Sequence, residues 1–188
     1  VAKGGAEVFI VHARKAWLSG LSPKDNRTIP PLRYAEVYQL KRERPQHFIE
    51  INGGICSWAE TFEHLAHCDG VMIGREAYNH PRLFMLADRL LYPHLPPASR
   101  GLDEVVEEMA SYLDRQLARG HKAHHVTRHM VQLLSGLPGN KLWRRRLSEE
   151  AVKPGADGAW LMSVWREARA RSAEVDLMPP HLTSLPSI

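Results

Sequence analysis

Short unbroken apolar runs alternate in this chain with longer stretches whose apolar residues recur at helical spacing. Three runs read as strands covered on both faces: Val8-Phe9-Ile10-Val11 ending at His12, Phe48-Ile49-Glu50-Ile51 ending at Asn52, and Val71-Met72-Ile73 ending at Gly74. Each stops abruptly in polar or glycine residues. Helical patterns occupy the intervals, near 33–43, 57–67 and 79–91. This alternation implies parallel strands joined by helices. Three strands alone would leave the flanks of their sheet unpaired, so further strands are expected before Val1. A start on Val rather than Met fits a fragment, a processed product or a truncated gene model.

After a loop containing Pro93, Pro96 and Pro97 the pattern becomes helical throughout. Val106, Met109, Ala110, Leu113 and Leu117 share one face of a helix over 103–119, with acids in its first turn and Gly120 as its stop. Further helices are predicted near 124–135, 140–151 and 157–172, separated by Gly136-Leu137-Pro138-Gly139 and Lys153-Pro154-Gly155. Four helices on short loops suggest a bundle. The expected organisation is an α/β domain over 1–99, an all-α domain over 100–173 and a disordered tail over 174–188.

Charge sharpens the second half. The 188 residues carry a net charge of +4, but 115–146 holds eight basic residues and no acidic one. They are Arg115, Arg119, Lys122, Arg128, Lys141, Arg144, Arg145 and Arg146, interspersed with His121, His124, His125 and His129. A solvated helix face normally mixes signs, so the imbalance points to a polyanion, with nucleic acid first. No apolar run approaches the roughly 18 residues of a membrane span. No secretory leader is visible. Two cysteines, Cys56 and Cys68, are too few for a disulfide framework, which makes a reducing cytoplasm the expectation. Histidine pairs such as His121 with His125 lack an acid or cysteine to complete a metal set, and no metal is expected.

Candidate chemistry gathers at the strand ends. Asn52-Gly53-Gly54 and Gly74-Arg75 lie at the ends of successive strands, where loops of (β/α)8 barrels often bind phosphate. Glycine lets backbone N–H groups approach phosphate oxygens, and Arg75 can add a bidentate contact. The bland alternative is that these glycines only turn the chain. His12 and Arg14 share a strand face by the period of two and can address one ligand. The connection Lys15–Pro31 is long and without helical pattern, as functional loops often are. Trp17 within it is expected to pack, and Lys24 and Arg27 suit backbone phosphates. Trp143, Leu142 and Leu147 read as core, and Arg144 to Arg146 span too much of a helical turn all to point inward.

Four segments carry a family resemblance. They are VHARKAWLSGLSPKDNRTIPPLRY (11–34), INGGI (51–55), DGVMIGREAYNHP (69–81) and the TRHM…GLPGNKLWRRRLSE region (127–149). In order and spacing they resemble the A-type tRNA-dihydrouridine synthases over about residues 1–150. The resemblance implies the C-terminal strands and helices of a TIM barrel followed by a four-helix RNA-binding bundle. It also implies FMN as cofactor, NADPH as reductant, and reduction of the C5–C6 double bond of D-loop uridines in tRNA. By the same resemblance His12 contacts flavin, Asn52, Gly53 and Gly54 form a phosphate cradle, and Gly74 and Arg75 form its second lobe. Arg14 and Arg27, with Lys141, Arg144 and Arg146 of the helical domain, are the residues expected to meet tRNA. The family's catalytic cysteine belongs to the barrel's N-terminal half, and neither Cys56 nor Cys68 stands in its context. No catalytic residue is therefore expected here, and the chain alone is expected to be inactive. A monomer is expected. Two competing readings stay open: a non-catalytic RNA-binding module with a remnant barrel, and an unrelated barrel enzyme acting on a sugar phosphate.

Overall fold

The computed structural model describes residues 2–95 and 100–171. Pro96, Pro97 and the tail expected over 174–188 lie outside the described residues. The chain divides into two compact units, Val1–Glu76 and Ala77–Ile188.

In the first unit β1 (Val8–His12), β2 (Phe48–Asn52) and β3 (Gly70–Met72) form a parallel sheet in that order. Val8 lies opposite Phe48, His12 opposite Asn52, and Asn52 opposite Met72. The β1–β2 connection contains α1 (Pro23–Asn26) and α2 (Tyr34–Glu43), α3 (Trp58–Leu65) joins β2 to β3, and α4 (Arg75–Asn79) follows β3. The single turn α1 interrupts a loop expected to be irregular. Ser22 caps it by accepting from the Asp25 amide at 3.2 Å, and Pro23 presets its first φ angle. Ser57 likewise caps α3 by accepting from the Glu60 amide at 3.2 Å, while Glu60 reaches back to the Cys56 amide at 2.8 Å.

Strand alternation sends Phe9, Val11, Ile49, Ile51 and Val71 into one core with Ala13, Val37, Ile55 and Cys68. The opposite face is open, contrary to the expectation of strands covered on both sides. Val8 is 61%, Ile10 58%, Phe48 44% and Met72 40% exposed. Tyr34, Val37, Tyr38 and Leu40 of α2 and Cys68 before β3 all pack on the first face.

In the second unit a 3-10 turn over Pro81–Leu86 leads into α5 (Ala87–Leu91), followed by α6 (Leu102–Ala118), α7 (Ala123–Thr127), α8 (Asn140–Glu149) and α9 (Gly158–Ala170). The helix read over 79–91 is broken because Pro81 has no amide to continue a ladder. The helix read over 124–135 ends at Thr127 and continues as tight turns, such as Met130 N to Thr127 O and Leu133 N to Met130 O. The Met130 carbonyl also accepts from Trp143 Nε1 at 2.8 Å, which draws it out of an α-helical ladder.

Val106, Leu113, Leu134, Leu147, Leu161, Val164 and the edge-on pair Trp143–Trp165 fill this core, with ring centroids 5.5 Å apart. Trp143, Leu142 and Leu147 are buried as expected. Met85 packs against the same cluster and Arg82 donates to the Ser135 carbonyl at 2.7 Å. The packing boundary thus falls at Glu76/Ala77, earlier than the boundary near 99 read from the prolines. Among the described residues no helix is long and apolar enough to cross a membrane.

Candidate functional site

Parallel pairing places the carboxyl ends of all three strands along one edge, so His12, Asn52 and the Met72–Gly74 turn stand side by side. Neighbouring strands are about 4.8 Å apart. The turns after β2 and β3, distant in sequence, therefore leave the sheet from the same edge.

Gly53 and Gly54 leave β2 with φ of 125° and 75°, a region closed to most side chains. A Cβ on Gly53 would lie 3.1 Å from Leu32 and 3.2 Å from His12, and one on Gly54 would lie 2.8 Å from Leu32. Backbone is thus brought close to its neighbours without side chains. Gly74 faces open space, with nothing within 4 Å of the position its Cβ would take. Among the described residues the amides of Gly53, Gly54 and Gly74 donate to no backbone acceptor. Free amides beside Arg75 suit a multiply charged anion.

His12 accepts from the Arg14 amide through Nδ1 at 3.2 Å. The neutral ring then carries its proton on Nε2, which becomes a donor. Burial first, then the charges of Arg14 and Arg75, hold its pKa below the ordinary imidazole value, which keeps it neutral. His12, Arg14 and Lys15 line one hollow of about 250 Å³ with Arg33 and Glu36.

The Arg14 guanidinium holds the loop through Nη1. It donates to the Thr28 carbonyl at 3.0 Å and to the Pro30 carbonyl, beside a backbone bridge to Leu32. Arg75 donates from Nη2 to the Arg27 carbonyl at 2.9 Å. The two arginines pin the loop's backbone, while the Arg27 and Lys24 side chains stay exposed. Trp17, expected to pack, is 41% exposed. The backbone around it is held by Asn26, whose side chain donates to the Trp17 carbonyl at 2.8 Å and accepts from its amide at 2.9 Å. The loop keeps its shape without burying the indole.

Tyr34 was not singled out from the sequence beyond its place in a quoted motif. Its hydroxyl donates to the Gly53 carbonyl at 2.6 Å. Cys56 donates its thiol to the Gly54 carbonyl at 3.1 Å, and burial pushes its pKa up, with Glu76 and Glu60 adding to the rise. Cys68 is buried.

In the helical unit Lys141, Arg144 and Arg145 are exposed on α8. Arg146, on the same helix, is occupied: it bonds Glu150 at 2.5 Å and Glu167 at 2.5 Å. Nearby in sequence, exposed Arg128 donates from Nε to His129 Nε2 at 3.0 Å, and Tyr78 bonds His129 Nδ1 at 3.1 Å. His121, Lys122, His124 and Lys153 border a hollow of about 560 Å³. Neither Tyr78 nor Lys153 carried a signal in the charge pattern, Tyr78 being uncharged and Lys153 lying beyond the acid-free stretch.

The model of the dihydrouridine synthase (Dus) family matches residues 1–168. Among curated proteins, the tRNA-dihydrouridine(20/20a) synthase of Salmonella typhi is 52% identical over 159 residues, covering 85% of this chain and 48% of that protein. The proteins of the same name from Vibrio vulnificus (strain CMCP6) and Yersinia pestis are 53% and 48% identical over 154 and 168 residues. They cover 82% and 89% of this chain, and 47% of each relative. The chain spans about half the length of the curated relatives it matches.

Proposed function

This chain belongs to the dihydrouridine synthase (Dus) family, and we propose that the intact protein containing it is a flavin-dependent oxidoreductase that reduces D-loop uridines of tRNA to dihydrouridine. On this reading the first unit contributes the last strands of a (β/α)8 barrel that holds FMN, with NADPH as reductant. Helices α6 to α9 of the second unit form a four-helix tRNA-binding bundle. The open apolar face of Val8, Ile10, Phe48 and Met72 supports the barrel, because those positions become interior ones when the sheet closes.

The observation that carries the reading is the paired glycine mouth. Gly53 and Gly54 in left-handed conformations, free amides at Gly54 and Gly74, and Arg75 at the start of α4 fit the phosphate of FMN in donor chemistry. Asn52, whose Nδ2 lies 3.2 Å from Met72 Sδ, closes the floor between the two strands. His12, neutral and protonated on Nε2, offers a hydrogen bond to an electron-rich flavin atom. Bound flavin supplies the hydride that the C5–C6 double bond of uridine requires. The acid that protonates the neighbouring carbon is assigned to a cysteine outside this chain. The Cys56 thiol donates to a backbone carbonyl and Cys68 is buried.

For tRNA, the loop pinned by Arg14 and Arg75 presents Arg27, Lys24 and the exposed Trp17 indole. Arg27 serves as a phosphate contact and Trp17 as a stacking surface. In the helical unit Lys141 and Arg144 meet the RNA backbone, joined by Arg145 and Arg128. Arg14 and Arg146 act indirectly, Arg14 by shaping the loop and Arg146 by bracing α8 on α9.

The test is to purify the intact protein, record its flavin absorbance, and measure NADPH-dependent dihydrouridine formation on unmodified tRNA. Bound FMN and turnover are the expected results, with little of either from residues 1–188 alone. Salt-sensitive tRNA binding by a flavin-free intact protein would instead favour the non-catalytic RNA-binding reading.

A further inference from the structure

We propose that Tyr34 is the positioning residue of the phosphate cradle: its hydroxyl turns the Gly53–Gly54 peptide so that the Gly54 amide faces the bound anion. The inference rests on the reading above, in which that turn holds the phosphate of FMN.

A trans peptide is flat, and its C=O and N–H point in opposite directions. Among the described residues there is no cis peptide. Tyr34 Oη holds the Gly53 carbonyl at 2.6 Å. The Gly54 N–H across the same peptide must then point away from Tyr34, and it donates to no backbone acceptor among the described residues. A glycine pair at φ 125° and 75° has many alternatives open to it. Without a tether the peptide could flip and present its carbonyl to the anion, replacing attraction by repulsion.

The tether is itself held in place. Tyr34 opens α2, and its ring meets the edge of His64 at a centroid distance of 4.4 Å. His64 is buried and hydrogen-bonded through Nδ1 to the Tyr38 hydroxyl at 2.6 Å. Leu32 fills the space behind the turn. Burial, assisted by the charge of Glu60, raises the pKa of the Tyr34 phenol, so it stays protonated as a donor. Three residues of the α2 region thus brace one side of the turn and leave the other side to a ligand.

The experiment compares FMN with riboflavin, which has the same ring system and no phosphate, by fluorescence titration of the flavin-stripped intact protein. Wild type should prefer FMN. Tyr34→Phe should lower FMN affinity about tenfold, the scale of one lost hydrogen bond, with riboflavin affinity unchanged. Tyr112→Phe, on α6 and outside the bracing of the turn, should keep the wild-type ratio. Replacing Tyr34 by p-aminophenylalanine, which retains a donor at the same place, should restore the preference; if Tyr34→Phe does not accumulate folded, p-fluorophenylalanine at this position, close in shape and without a donor, should lose it. A wild-type protein indifferent to the phosphate would overturn the cradle reading itself. A wild-type preference that Tyr34→Phe leaves intact, or an equal weakening of both flavins, would overturn the role of Tyr34 alone.

Discussion

Arg75 Nη2 donates to the carbonyl oxygen of Arg27 at 2.9 Å, across 48 residues of sequence. One guanidinium at the mouth of the sheet thereby holds the loop assigned to RNA while standing beside the turn assigned to the flavin phosphate. On the proposed reading, cofactor site and substrate loop share a residue.

Replacing Arg75 by Ala should therefore show two effects together. A charge-assisted contact is worth about 1.5–3 kcal/mol, so FMN affinity should fall by about ten- to a hundredfold. The 15–31 loop should also become more susceptible to limited proteolysis. Unchanged FMN affinity would remove Arg75 from the cradle.

The glycines should separate by conformation. Gly53→Ala forces a side chain into φ 125° against Leu32 and His12, and should cost about 1–3 kcal/mol of stability in a denaturant titration. Gly74→Ala meets open space at ordinary φ and should stay within about 0.5 kcal/mol of wild type. Equal losses at both positions would contradict the backbone geometry described.

On α8 neighbouring arginines should behave differently. Arg144→Glu should weaken tRNA binding and lessen its salt dependence by about one counterion, with little effect on melting. Arg146→Ala breaks the bonds to Glu150 and Glu167 and should lower stability by about 1 kcal/mol, its effect on RNA being secondary. Reversed rankings in melting and filter-binding assays would refute the division.

His12 should titrate below the ordinary imidazole midpoint of about 6.5 because burial, Arg14 and Arg75 disfavour its cation. The sign follows from linkage. The unfolded chain binds this proton more readily, so the contribution to stability is complete above the unfolded pKa and is lost as pH falls through the lowered folded value. An NMR titration of the His12 ring should give the depressed midpoint, and Arg75→Gln should raise it. A midpoint at or above the ordinary value would remove the cationic surroundings inferred for this histidine.

Much of this molecule was legible from local pattern. Strand runs ending at His12 and Asn52, the stop at Gly120 and the inward Trp143 all depend on periodicity or on neighbours within one turn, and such short-range physics is written in the residue order itself. The free basic surface of α8 was readable for the same reason, since 115–146 holds no acid to neutralise it. What a given cation does with its charge was not readable. Arg14 clamps the carbonyls of Thr28 and Pro30, Arg146 meets Glu167 some 21 residues away, and Tyr34 reaches Gly53 only because α2 packs beside the end of β2. These are choices among partners, and partners are set by distance in space, which chain order alone does not encode.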